Sequence, residues 1–442
     1  MEVMVRSGAR RPSSVELVGQ CLARAADPAG EGARTFISTY TATAPAVAAA
    51  IDALRTLGHA VAPLAGMPVS IKDLLDVEGE VTRAGSRALD DAAPASADAP
   101  VVRRLKGAGA VLVGRTNMTP FAYSLVGLNE QFDTPANPWD RSRIPGGSSS
   151  GAAVSVADGM AVAAVGSDTV GSIRVPAALC GVVGLKPTQR RVPLAGSIPL
   201  STSLDTIGPL ARTVEDCARV LAVLAAEDRP ARRRQDVMGA RLVVPTGACL
   251  DGLDRDVARA FERALRLLAR QGAMVIERQV ATLRQVQEAD IIRVIQGAEA
   301  FAWHAGLLER RSEHYDPRIR ARIEAGRRIE AAAYVAALGR RAALMAAFDA
   351  ELANADALVL PTVPTIAPTF VEAREQEDAV RTRLLRNVAP FSLLDCCVLS
   401  LPIHESGSAP VGLSVVGRRG DDWLLLDLAA AIEAALDFTE GD

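Results

Sequence analysis

Apolar residues change their spacing along this chain, and each change predicts a different kind of element. Near the amino terminus Ser13-Ser-Val-Glu16 has the form of a capping box ahead of Leu17, Val18 and Leu22. A second helix is predicted from Pro45 to Leu57, with proline in its first turn. Residues 1–62 therefore read as a helical segment. From Pro63 to about residue 225 short apolar runs alternate with glycine and proline turns. Val69-Ser-Ile71, Ala110-Val-Leu-Val-Gly114 and Met160-Ala-Val-Ala-Ala-Val165 read as strands, and Asp98 to Lys106 as an intervening helix. Such alternation predicts a buried, mostly parallel sheet. Residues 226–240 are arginine-rich and polar, a surface connection. Arg241-Leu-Val-Val244 resumes as strand, Asp254 to Gln271 is an amphipathic helix, and residues 283–354 are largely helical. Ala357-Leu-Val-Leu360 and Val411-Gly-Leu-Ser-Val-Val416 read as late strands, closed by a helix from Asp422 to Leu436. No internal repeat is found. Strands at both ends predict an α/β fold over residues 1–442: one large twisted, mixed, mostly parallel sheet flanked by helices on both faces. Residues 226–355 then form a mostly helical insertion, and 356–442 complete the sheet.

Composition narrows the function classes. The 442 residues carry a net charge of −3 and only 4% aromatics, against the basic stripes and stacking rings of a nucleic-acid groove. No uncharged apolar run reaches the roughly 20 residues that span a bilayer. Arg6, Arg10 and Arg11 are followed by no apolar core, so no secretory signal is expected. Six cysteines, at 21, 180, 217, 249, 396 and 397, form no C-x-x-C pair and no zinc spacing. Buried reduced thiols, a cytoplasmic location and neither metal nor cofactor are the expectation. Of 49 basic residues only Lys72, Lys106 and Lys186 are lysines. Arginine cannot give up its proton in a protein, whereas a buried lysine can and then acts as a base. Lys72 is the one that sits in an apolar run. Lys186 reads as a structural turn residue before proline and Lys106 as surface.

The candidate chemistry lies in two glycine-rich turns, Pro145-Gly-Gly-Ser-Ser-Ser-Gly151 and Gly166-Ser-Asp-Thr-Val-Gly-Ser-Ile-Arg-Val-Pro176. A serine hydroxyl attacks only when something takes its proton and something else receives the oxyanion. Glycine turns let successive backbone N–H groups converge on one small space. Four histidines exist, at 59, 304, 314 and 404, none in a glycine- or serine-rich turn. Gly147-Ser-Ser-Ser-Gly151 matches G-x-S-x-G formally, but the polar residues before it end in proline rather than forming the strand a nucleophile elbow needs. Phe301, Trp303, His304 and Tyr315 could line a pocket, although helical core packing is the better account.

Several runs in order resemble the amidase signature hydrolases: Pro68-Val-Ser-Ile-Lys-Asp73, the two serine turns, Cys180-Gly-Val-Val-Gly-Leu-Lys-Pro-Thr188 and Ser203-Leu-Asp-Thr-Ile-Gly-Pro209. The resemblance is strong over residues 63–216 and fainter across 357–436. It implies that 63–225 is the catalytic core and that 226–355 shapes the substrate region. Ser172 would be the nucleophile, and Ser148, after a cis Gly147–Ser148 peptide, the bridge to a neutral Lys72. Thr169, Val170, Gly171 and Ser172 would present N–H groups to the oxyanion. Gly147, Ser149, Asp168 and Arg174 would support the loops. For the last pair the alternative is an ordinary surface ion pair. Val170 and Ser150 stand where the family often has glycine; the valine keeps its donor if its φ stays negative. The implied activity is hydrolysis of a small-molecule amide, and of esters. The glutaminase component of a tRNA-dependent amidotransferase, working with partner subunits, is the second reading, and a catalytically silent binding protein the third. Monomer and homodimer stay open.

Overall fold

Both parities of the late strands are apolar, which dictates a sheet buried on two faces. In the strand Cys397–Pro402, Cys397, Leu399 and Leu401 join one hydrophobic cluster while Val398 joins another. The same alternation holds in Ala357–Pro361, where Ala357 and Val359 face one way and Leu358 and Leu360 the other. Helices Val214–Ala225, Arg255–Arg270 and Asp422–Ala435 supply the first cluster, and helices Ile291–Arg311 and Ala331–Glu351 contribute to the second.

The computed structural model describes residues 12–288 and 290–436; Arg6, Arg10 and Arg11 lie outside the described residues. Eleven strands form one sheet. In chain order they are β1 (Phe36–Thr39), β2 (Pro68–Lys72), β3 (Val111–Thr116), β4 (Ala163–Asp168), β5 (Val183–Lys186), β6 (Thr206–Ala211), β7 (Arg241–Thr246), β8 (Met274–Gln279), β9 (Ala357–Pro361), β10 (Cys397–Pro402) and β11 (Gly412–Gly417). Their spatial order is β1-β3-β2-β4-β6-β5-β10-β11-β9-β7-β8, so both halves of the chain thread one sheet.

Two details differ from the sequence reading. Parallel pairing is confined to two blocks, β3-β2-β4 and β9-β7-β8; the run from β4 through β6, β5, β10 and β11 to β9 is antiparallel throughout. The β10–β11 connection explains part of this, since it is a short loop without the crossover helix that parallel neighbours need. The segment 1–62 is not wholly helical: Phe36–Thr39 is drawn into the sheet edge by antiparallel pairing with β3. The capping box is present as expected, with Ser13 Oγ accepting from Glu16 N at 3.1 Å and Glu16 accepting from Ser13 N at 2.7 Å.

Helix Ala331–Glu351 is long and apolar enough by composition to cross a membrane. Arg341 in its middle is buried instead against the protein, donating from Nε to Leu393 O at 2.7 Å and from Nη1 to Ser203 O at 2.6 Å. All six cysteines are buried, free thiols.

Candidate active site

Strands β2 and β4 are parallel neighbours, so their carboxyl ends open on the same side of the sheet. Lys72 is the last residue of β2 and Asp168 the last of β4. Side chains delivered there converge just beyond the strand ends, where open α/β sheets form their sites. The serine turn at 145–149 leads into helix Ser150–Ala157, and the turn at 169–173 into helix Arg174–Cys180.

The two turns are bonded to each other. Ser149 N donates to Ser172 O at 3.1 Å, and Ser149 Oγ donates to Ser167 O at 3.2 Å. The Gly147–Ser148 peptide is cis. A β-carbon on Gly147 would meet Gly127 Cα at 2.7 Å and Thr119 Oγ1 at 2.8 Å, so only glycine lets the turn approach its neighbour this closely.

Lys72 is fully buried and its Nζ donates to Ser148 Oγ at 2.7 Å and to Ser167 Oγ at 2.9 Å. Burial lowers its pKa from 10.5 to about 7, with Asp168 and Asp205 pulling the other way. Ser172 Oγ is buried and has no hydrogen-bond partner among the described residues. The chain thus brings Lys72 and Ser148 into direct contact and leaves the hydroxyl at 172 unengaged.

Asp168 and Arg174 are both completely buried, so the surface ion-pair alternative is corrected. Arg174 Nε and Nη2 reach Asp168 Oδ2 and Oδ1, each at 2.9 Å, and Asp168 also accepts from Gly171 N at 2.7 Å and Ile173 N at 3.1 Å. Burial alone would raise the carboxyl; the Arg174 guanidinium outweighs it and holds Asp168 below the usual range. These bonds reduce the number of free amides in the turn. Gly171 N is spent on Asp168, whereas the amides of Thr169, Val170 and Ser172 have no acceptor among the described residues. Val170 is not among the residues with positive φ; Gly171, at φ 135°, takes the unusual conformation instead.

Among the described residues no histidine is hydrogen-bonded to Lys72, Ser148 or Ser172. His304 is buried, shares one hydrogen bond with Tyr315 Oη at 2.8 Å, and is kept neutral by burial, its pKa lowered to about 3. With Phe121, centroids 4.4 Å apart, and Tyr315 it forms a buried ring cluster, the core packing expected, whereas Phe301 is half-buried and Trp303 exposed. Lys186 is buried as well, with Nζ on Pro187 O at 2.9 Å, and Lys106 pairs with Asp98 at 2.8 Å. Among the described residues no group of His, Cys, Asp and Glu is placed to hold a metal ion.

The profile of the Amidase family matches residues 16–426. The chain belongs to the amidase family. It is 38% identical over 413 residues to the 2-amino-5-chloromuconic acid deaminase of Comamonas testosteroni, covering 89% of this chain and 87% of that one. It is 36% identical over 464 residues to the A subunit of the glutamyl-tRNA(Gln) amidotransferase of Roseiflexus castenholzii, covering 96% and 93%. A crystal structure of an amidase superposes with a TM-score of 0.87 at 35% identity, covering 96% of this chain and 97% of that one. The protein is accordingly an amide C–N hydrolase.

Sequence reading missed the supports of this amidase site that come from afar. Thr169 Oγ1 donates to Asp205 Oδ1 at 2.6 Å, and Asp205 Oδ2 accepts from Leu200 N at 2.9 Å and Ser201 N at 3.0 Å. Burial raises Asp205 to about 6 despite these bonds. Glu299, on helix Ile291–Arg311, holds the same loop: it accepts from Ser203 N at 3.0 Å, from the hydroxyls of Ser201 and Ser203, and from Tyr334 Oη at 2.6 Å. Asp205 and Ser167 lie inside quoted motifs, where a signal existed. Glu299 carries none.

Proposed function

We propose that this amidase works through a Ser172 acyl-enzyme. Ser172 Oγ adds to the carbonyl carbon of R–CO–NH–R′, its proton passing to Ser148 and that of Ser148 to neutral Lys72. The oxyanion falls to the amides of Thr169, Val170 and Ser172. Lys72 then returns its proton through Ser148 to the leaving nitrogen, the C–N bond breaks and the amine departs. Water repeats the attack on the ester, protonates the relay in the same way, and frees the acid with Ser172 regenerated. Esters follow the same course, since they form the same tetrahedral oxyanion. The observation that carries this reading is a fully buried lysine bonded to Ser148 at 2.7 Å, in a turn that is itself bonded to the turn carrying the unengaged Ser172 hydroxyl. The Ser148–Ser172 link closes on substrate binding, as catalytic hydrogen bonds often do. Residues 226–355 support the site through Glu299, which with Tyr334 holds the loop at Ser201 and Ser203.

The test is labelling by a fluorophosphonate with a panel of aliphatic, aryl and peptide amides assayed alongside. An adduct on Ser172, and loss of both adduct and turnover in Ser172→Ala, is the expected result. Turnover at wild-type rate in that variant would move the nucleophile elsewhere; a folded protein with no adduct and no turnover would be a silent binder. A second reading, supported by the amidotransferase relatives, makes glutamine the substrate and a partner protein the recipient of ammonia. Co-purification of such a partner, with glutaminase activity dependent on it, would favour it.

A further inference from the structure

The turn from Leu200 to Asp205 is closed on itself by hydrogen bonds. Leu204 N and Asp205 N donate to Ser201 O at 3.0 and 2.8 Å, and Asp205 Oδ2 accepts from Leu200 N and Ser201 N. Its far end meets the nucleophile loop twice. Asp205 Oδ1 holds the Thr169 hydroxyl at 2.6 Å, and Thr206 Oγ1 donates to Asp168 O at 2.9 Å. Asp205 thus joins Ser201 to Thr169 through its two oxygens.

Packing alone does not fix this turn. A small cavity borders Leu200, Asp205, Thr169 and Ser167, so their contacts on that side are incomplete. The hold from outside is polar. Arg341 Nη1 donates to Ser203 O at 2.6 Å. Glu299 Oε2 takes the Ser201 hydroxyl and Ser203 N, while Oε1 takes the hydroxyls of Ser203 and Tyr334. Three of these four donors belong to the turn and none is a cation. The half-buried carboxylate makes charge-assisted bonds to a loop beside the site.

We infer that Glu299 is a positioning residue for the oxyanion donors: acting through Ser201 and Asp205, it fixes Thr169 at the head of the nucleophile loop. The inference deepens the Ser172 acyl-enzyme reading and rests on it. The links are Glu299 to the Ser201 hydroxyl, Ser201 N to Asp205, and Asp205 to Thr169 Oγ1. The Thr169 amide has no acceptor among the described residues, so displacing its side-chain anchor moves a free donor. Misplacement by about 1 Å from a change far from the chemistry costs up to about a hundredfold in rate. Glutamine separates charge from geometry. Its oxygen stands for Oε2, and its NH2, in place of Oε1, donates to the Ser203 and Tyr334 hydroxyls, which rotate to accept.

The test follows phosphonylation of Ser172 by a fluorophosphonate at pH 9. The Oγ–P bond forms, fluoride leaves and the hydroxyl proton passes to the relay. That pH lies above Asp205 at about 6 and Lys72 at about 7, so losing the Glu299 charge leaves both protonation states unchanged. Saturating rate, half-saturating concentration and final adduct per chain are read separately. In Glu299→Ala the saturating rate falls between about ten- and a hundredfold. The half-saturating concentration stays within about twofold, as for an interaction made only in the transition state. Glu299→Gln recovers most of the rate. A merely structural residue would lower the final adduct through unfolding and leave the rate per labelled site alone, which overturns the inference. So does a loss carried by the half-saturating concentration, or a glutamine variant no faster than alanine. Ser201→Ala cuts the first link and is read in the same way should Glu299→Ala fail to fold; an unchanged rate there overturns the inference. Absence of any Ser172 adduct in folded wild type overturns the acyl-enzyme reading itself.

Discussion

Arg174 grips both carboxylate oxygens of Asp168 at 2.9 Å, and neither side chain has any exposed surface. The pair is more than two charges: Asp168 also holds Gly171 N and Ile173 N, and Arg174 reaches Val388 O and Ser392 Oγ. The loop carrying Ser172 is therefore shaped by one buried polar cluster. Removing half of such a pair leaves an uncompensated charge, at a cost of about 3–5 kcal/mol. Arg174→Gln should lose stability on that scale in urea denaturation and lose turnover with it. Arg174→Lys should recover little, because an ammonium cannot serve the two carboxylate oxygens, a carbonyl and a hydroxyl in these directions. A lysine variant of wild-type stability would mean that charge alone suffices.

Neutral Lys72 is the form that can accept a proton, and its pKa is about 7. The value of kcat/KM should therefore fall about tenfold per pH unit below that point and level off above it. Lys72→Arg should be inactive despite its charge, since arginine is never the neutral base. Asp205 is one of the charges that raise Lys72. Asp205→Asn should move the acid limb to lower pH, whatever it does to the plateau. A limb that stays put or moves upward in the pH–rate profile would disconnect it from Lys72.

The same titration leaves a mark on stability. Lys72 has a folded pKa near 7 against an ordinary 10.5. Between those values the unfolded chain holds a proton that the folded protein does not, so this residue makes stability rise with pH, by about 1.4 kcal/mol per unit. Below pH 7 both states are protonated and the contribution is flat. Guanidinium denaturation of wild type and Lys72→Met at pH 7 and 9 should show the wild type gaining roughly 2 kcal/mol on the variant. Parallel curves would mean that the buried amine keeps its proton.

Much of this site is readable in the sequence because its chemistry lies in contiguous turns. Lys72, Ser148 and Ser172 each stand in a motif whose glycines and apolar flanks have a local physical reason. Strand direction is less legible. Whether β5, β6, β10 and β11 run parallel or antiparallel depends on what connects them, and local apolar patterns in a buried strand are the same either way. The strand Phe36–Thr39 escapes notice because its partner β3 lies some 75 residues away in sequence, and pairing rather than propensity extends it. Gly171 reads as an oxyanion donor from its place in the turn. That Asp168 already occupies its N–H follows from a side-chain direction that no spacing reveals. Glu299 is invisible for a similar reason, holding Ser201 and Ser203 from 96 or more residues away.

Gly171 has φ of 135°, a region L side chains rarely adopt, and a β-carbon there would lie 2.5 Å from Val388 Cγ2. Two separate obstacles thus face Gly171→Ala: the backbone must leave its conformation, and the methyl must displace Val388, whose carbonyl is held by Arg174. Moving the backbone at 171 shifts the amide of Ser172 and the bond from Gly171 N to Asp168 together. Turnover should drop about a hundredfold or more, the scale of losing one oxyanion donor. Adding Val388→Ala removes the 2.5 Å contact and leaves Val388 Cβ at 3.0 Å without relieving φ, so the double variant should regain part of its stability in a denaturant titration and recover little kcat. Full recovery of kcat in the double variant would show that space, and not backbone conformation, is what the glycine provides.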